Sequence, residues 1–89
     1  MNSHKFPKLE KLPALLARTT FSRSSIYSKV KQGMFVPPIS LGPRAVAWLS
    51  HEVDDVLAAM ITGQSQEEIK QLVQDLVVSR KNFKGKNHG

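Results

Sequence analysis

The stretch "SRSSIYSKVKQG", residues 22–33, most narrows what this chain can become. Ser22 is a helix N-cap residue and Gly33 a helix stop, so the ten residues between them read as a helix over about 23–32. That helix holds only two clearly apolar residues, Ile26 and Val30, side by side on the helical wheel. Ser24, Tyr27, Ser28 and Lys31 fall on the opposite side, and Ser25 and Lys29 flank the stripe. Phe21 and Met34, just beyond the two ends, can complete the packing of Ile26 and Val30. A helix with so thin an apolar stripe can be buried along one edge only. Its other face, rich in hydroxyls with one aromatic and two lysines, must meet something polar. Serine is a mediocre helix former, so a cluster of serines there has no evident structural gain.

The flanking segments give this helix its setting. "LPALLART" puts Pro13 in the first turn of a short helix at about 13–18, with Leu12, Leu15 and Leu16 on one side. A four-residue turn then leads into the 23–32 helix. After Gly33, Pro37-Pro38 forbid helix. "ISL" and "AVAWL" around Gly42-Pro43-Arg44 predict a small β-hairpin, about 39–41 and 45–48, with Arg44 at its tip. Ser50 is placed to cap a third helix. Its Val53, Val56, Leu57 and Met60 repeat at core spacing, and Glu52, Asp54 and Asp55 lie near the helix N-terminus, where acids are favoured. Trp48 reads as core. Ser65-Gln66-Glu67-Glu68 is a capping box for a fourth helix to about 82, with Ile69, Leu72, Val73, Leu76 and Val77 on one face.

The expected fold is therefore mainly α with a small β-hairpin: a winged helix-turn-helix over 12–62 plus an extra C-terminal helix over 65–83. Residues 1–11 read as a flexible basic arm and 84–89 as a disordered tail. The apolar stripe of the 65–83 helix suits either a return onto the winged domain or an outside partner.

Charge points the same way. The 89 residues carry a net charge of +6, unevenly distributed. Residues 1–50 have eight Lys and Arg against Glu10. Residues 51–78 have Lys70 against six acids. The segment from Ser79 adds Arg80, Lys81, Lys84 and Lys86. A basic front half beside an acidic middle suits a polyanion partner, first of all nucleic acid. The basic end of the last helix, Arg80 to Lys86, offers further phosphate contacts.

The chemistry of an enzyme is missing from the sequence. There is no cysteine, and the three histidines (His4, His51, His88) have no metal-ligand spacing. No glycine-rich phosphate loop is present. The acids at 52, 54 and 55 are accounted for by the helix dipole. The chain thus reads as a non-enzyme with no catalytic residue, no cofactor and no metal. Nothing resembles a signal peptide and no apolar run approaches a membrane span, so no membrane partner is expected and the cytoplasm is the simplest compartment.

The segment "LPALLARTTFSRSSIYSKVKQGMFVPPISLGPRAVAWLSHEVDDVLAAM" resembles the AlpA family of phage and genomic-island regulators. The motifs that carry the likeness are Ser22-Arg23-Ser24-Ser25-Ile26-Tyr27, Gly33, Pro37-Pro38, Leu41-Gly42-Pro43-Arg44-Ala45-Val46-Ala47-Trp48 and Glu52-Val53-Asp54. It covers about 12–61. The resemblance implies a small winged-helix protein, related to excisionases and MerR-type domains, that binds double-stranded DNA. Such proteins activate integrase expression or direct an integrase toward excision at attachment sites. It maps Ser22, Arg23, Ser24, Ser25, Tyr27, Ser28, Lys29 and Lys31 onto a recognition helix, and Pro43 and Arg44 onto the wing. Thr20 stands where the family pattern favours glycine, which implies a strained turn if the position takes a positive φ. The 65–83 helix lies outside the likeness. It is a candidate for homo-oligomer or integrase contact, and an adaptor that docks a partner through this helix, with only non-specific DNA binding, is the alternative.

Overall fold

The computed structural model describes residues 7–85. The element order is β1 (Leu9–Glu10), α1 (Leu12–Thr19), α2 (Arg23–Lys31), β2 (Ile39–Gly42), β3 (Ala45–Leu49), α3 (Ser50–Ile61), α4 (Gln66–Ser79) and α5 (Lys81–Gly85). The three strands form one antiparallel sheet in the order β1-β3-β2. This is the winged helix-turn-helix architecture with an additional C-terminal helical element.

Local signals set most of these boundaries. Pro13 occupies the first turn of α1. Ser22 caps α2 by accepting the Ser25 N–H at 3.1 Å. Gly33 takes φ 79° just past α2, a conformation that closes a helix end without a Cβ penalty. At α4 both halves of the Ser65/Glu68 capping box form.

The turn between α1 and α2 has three residues and depends on two neighbouring threonines. Buried Thr19 accepts the Phe21 N–H on its Oγ1 at 3.2 Å. Thr20 adopts φ 64°, and its N–H donates to the Leu16 carbonyl at 2.9 Å. A β-branched residue in the left-handed region is strained. Thr20→Gly is therefore expected to stabilise the fold by about 0.5–1 kcal/mol, after subtracting glycine's larger unfolded-state entropy. Thermal melts check this: a Tm that falls would mean the threonine methyl contributes packing that outweighs the strain.

One apolar cluster joins all the larger elements: Leu15, Ile26, Phe35, Val36, Trp48, Val53, Val56, Ala59, Ile69 and Val73 are buried together. Phe21, Val30 and Met34 pack at its margin, as do Leu57, Met60, Leu72, Leu76 and Val77. The apolar stripe of α4 thus belongs to this core, and the return onto the winged domain is the arrangement adopted.

Four features differ from the sequence reading, each through contacts distant in the chain. Residues 8–10 are not part of a flexible arm: Leu9 and Glu10 pair with Leu49 and Trp48, and the Lys8 carbonyl accepts the Ser50 N–H at 2.9 Å. Met1 to Phe6 lie outside the described residues. Ser50 does not cap α3. Leu49 holds the N-cap position, and the Ser50 hydroxyl donates to Glu10 Oε1 at 2.8 Å. Glu52 lies in the first turn of α3 as expected, but the helix dipole is not its whole role, for it is 1% exposed and ion-paired with Arg80. The C-terminal helix breaks at Arg80 into α4 and α5, and α5 includes Lys84 and Gly85, which the sequence assigned to a disordered tail. Residues 86–89 of that tail lie outside the described residues.

Candidate nucleic-acid interface

The recognition-helix candidates occupy the exposed side of α2. Ile26 is fully buried and holds the helix to the core. Ser22, Arg23, Ser24, Tyr27, Ser28 and Lys31 are exposed, whereas Ser25 and Lys29 are half-buried at the flanks. Several of these side chains already have local work. The Ser22 hydroxyl caps the helix, and its Oγ lies 3.5 Å from that of Ser24. Ser28 accepts a hydrogen bond from Gln32 Nε2 at 3.0 Å. The Lys29 ammonium stands 4.9 Å from the centroid of the Phe21 ring, a cation–π contact that ties α2 back to the turn before it.

Tyr27 is divided between two roles. Its ring makes an edge contact with Trp48, centroids 6.2 Å apart, yet 38% of the residue is exposed. It does not oppose the core side as simply as the helical wheel suggested. Trp48 is buried and donates from Nε1 to the Val36 carbonyl at 3.0 Å. Trp48 therefore braces α2 through Tyr27, and the segment leading to the wing through Val36.

The wing is the β2–β3 hairpin. Ile39 pairs with Ala47, Ser40 with Val46 and Gly42 with Ala45, with a register shift between Ser40 and Gly42. Pro43 and Arg44 form the exposed tip. Arg44 takes φ 61°. Proline second and a positive φ third is the type II turn pattern, in which the third place favours glycine. An arginine held in that slot carries backbone strain, which points to a role for its side chain.

Charge is also distributed differently from the raw count. Arg18 bridges β1, α1 and α3: Nε to Glu10 at 3.1 Å, and Nη2 to Asp54 at 2.8 Å and to the Ser50 carbonyl at 3.2 Å. Partial burial works against its charge, but the bonds to Asp54 and Glu10 outweigh this and hold the guanidinium more firmly protonated than usual. Arg80 is likewise committed, to Glu52, and is not a phosphate contact of the kind the sequence suggested. Arg23, Lys29, Lys31 and Arg44 are in no ion pair among the described residues.

Two residues were missed by sequence reasoning. Gln32, within the quoted segment, partners Ser28 from the helix end. Lys70, the one cation in the acidic 51–78 segment, lays its stem beside Gly33: a Cβ there would sit 4.0 Å from Lys70 Cγ. A lysine of α4 thus stands beside the C-terminal end of α2. Its isolation among acids was a visible signal, but its position depends on how α4 folds back.

Among the described residues no three His, Cys, Asp or Glu side chains are grouped to hold a metal, and no helix is long and apolar enough to cross a membrane.

A family model described as the prophage CP4-57 regulatory protein (AlpA) matches residues 8–61. The chain belongs to the AlpA family. This is a regulatory, DNA-binding family. An uncharacterized protein, ORF88, of Enterobacteria phage P4 is 38% identical over 56 residues, which is 63% of this chain and 64% of that relative. The match therefore spans a little under two thirds of the relative's length. No solved structure gives a significant match. The AlpA match runs from β1 to the end of α3 and leaves out α4, α5 and Arg80.

Proposed function

We propose that this AlpA-family protein is a sequence-specific DNA-binding regulator of a phage or integrative element, acting as an excisionase, as an activator of integrase expression, or as both. α2 enters the major groove and presents Arg23, Ser24, Tyr27, Ser28 and Lys31 to base edges and phosphates, with Ser22, Ser25 and Lys29 at its margins. Pro43 and Arg44 of the wing reach the adjoining backbone or minor groove. Lys70 adds a phosphate contact beside the end of α2. The observation that carries this reading is the division of α2: Ile26 is fully buried while its hydroxyl-rich opposite face is exposed. The alternative, an adaptor that docks a partner through the 65–83 helix, has less support, because Ile69 and Val73 of that helix are in the core.

The experiment is fluorescence anisotropy on duplexes tiling the element's integrase promoter and attachment ends, with scrambled competitor, at two salt concentrations. The expected result is one tile that binds tightly and resists competitor. Its location then favours activator or excisionase. Uniform binding that disappears with salt would overturn sequence reading. Arg44→Gly removes the wing-tip guanidinium while easing the φ 61° turn. It is expected to lower the salt slope by about one unit without loss of thermal stability. An unchanged slope would remove Arg44 from the interface.

A further inference from the structure

We propose that Arg80 is a positioning residue for DNA recognition: it fixes the wing relative to the recognition helix from outside the family-matched segment. The inference rests on the DNA-reading function proposed above.

Residues 32–38 join α2 to β2 and end in Pro37-Pro38. Phe35 and Val36 anchor the first part of this junction in the core. At Pro37-Pro38 there is no N–H, so the backbone there can accept hydrogen bonds but not donate them. Two successive carbonyls are held. Val36 O accepts from Trp48 Nε1 at 3.0 Å, and Pro37 O accepts from Arg80 Nη2 at 2.8 Å. The first bond comes from the wing strand β3. The second comes from the far end of α4, 43 residues along the chain.

Arg80 reaches that carbonyl because Glu52 orients it. Its Nε donates to Glu52 Oε2 at 2.9 Å and its Nη2 to Oε1 at 2.6 Å, in the bidentate arrangement that suits guanidinium and carboxylate. Arg80 is 20% exposed and Glu52 1%. Stability alone does not call for such a pair, because apolar residues of similar volume commonly serve a buried site as well or better. No apolar residue, however, can hold the Pro37 carbonyl. What the ion pair adds is geometry, joining the first turn of α3, the root of the wing and the end of α4. Docked contacts tolerate displacements well under an ångström, so an untethered wing root would misplace Arg44 against a bound duplex.

The test separates this role from plain stabilisation. The double variant Glu52→Leu/Arg80→Met replaces the pair with apolar side chains and removes the bond to Pro37. It is expected to melt near the wild type, to lose about tenfold in affinity for the preferred duplex, and to make a further Arg44→Ala change cost less than it does in the wild type. Arg80→Lys keeps the charge but not the fork, and serves in the same assays if the double variant does not fold. A folded variant with wild-type affinity, or one in which the Arg44→Ala effect is simply additive, overturns the proposal. Amide NMR of the free protein gives a readout that needs no DNA. Shifts spreading over residues 39–48 are expected, and shifts confined to the neighbourhood of residues 52 and 80 would overturn the tether. If the wild type prefers no duplex, the DNA-reading function fails by itself, and these shifts still decide whether Arg80 positions the wing.

Discussion

Glu52→Ala is expected to destabilise the fold by about 3–5 kcal/mol, because it leaves the Arg80 guanidinium partly buried without its counter-charge. The carboxylate accepts two hydrogen bonds from Arg80 and is itself 1% exposed, so water cannot readily take its place. A domain of this length has roughly 4–13 kcal/mol of stability in total. Loss of this one group would then remove a large share of it and lower Tm by more than about 10 °C. Urea and thermal melts monitored by circular dichroism measure the effect. A change under about 1 kcal/mol would show that the site hydrates on substitution and that the pair contributes little. The neighbouring Asp54 is a useful contrast. Its pair with Arg18 is formed by side chains 62% and 37% exposed, and exposed pairs contribute little.

Removing residues 64–89 is expected to abolish cooperative folding, although the segment that remains includes the whole of the AlpA match. Two independent losses combine. Ile69 and Val73 leave the core, and Leu72, Leu76 and Val77 no longer cover its margin. Full burial of an aliphatic side chain contributes about 1.5–3 kcal/mol, so even partial burial of five amounts to several kcal/mol. Glu52 also loses Arg80, the partner of both its carboxylate oxygens. The expected observation is a broad, non-cooperative melt and no preferred duplex. A truncated chain that unfolds cooperatively and keeps its site preference would show that 8–61 is self-sufficient and that α4 is an accessory. The same result would remove the ground for assigning Arg80 a part in recognition.

These expectations show where the sequence was informative. The four main helices, the hairpin and the caps of α2 and α4 could be read because each is set by neighbours a few residues apart. Ser22 caps α2 three residues on, Gly33 ends it, and the Ser65/Glu68 box starts α4. The thin stripe of Ile26 and Val30 was enough to say which side of α2 is buried. Thr20 could be flagged for strain because the family likeness marks a glycine at that place, and its φ is indeed 64°.

What the sequence did not carry are contacts between residues far apart that compete with an equally good local account. Leu9–Glu10 is a strand only because β3 offers it an edge, and two residues have no periodicity to detect. Ser50 looks like a cap, but Glu10 and the Lys8 carbonyl engage it from 40 or more residues away. Glu52 looks like an acid favoured by a helix dipole, and Arg80 like one more cation of a basic tail. Each is well explained by its neighbours, so nothing local reveals that they meet across 28 residues. The sequence by itself determined the order of the elements and the polar face of α2, because hydrophobic periodicity and capping act within a turn or two of helix. Only the tertiary structure decided which charges are tied into ion pairs that hold the fold together and which are not. Burial of an ion pair depends on how α4 returns across α3, and no short-range pattern encodes that return.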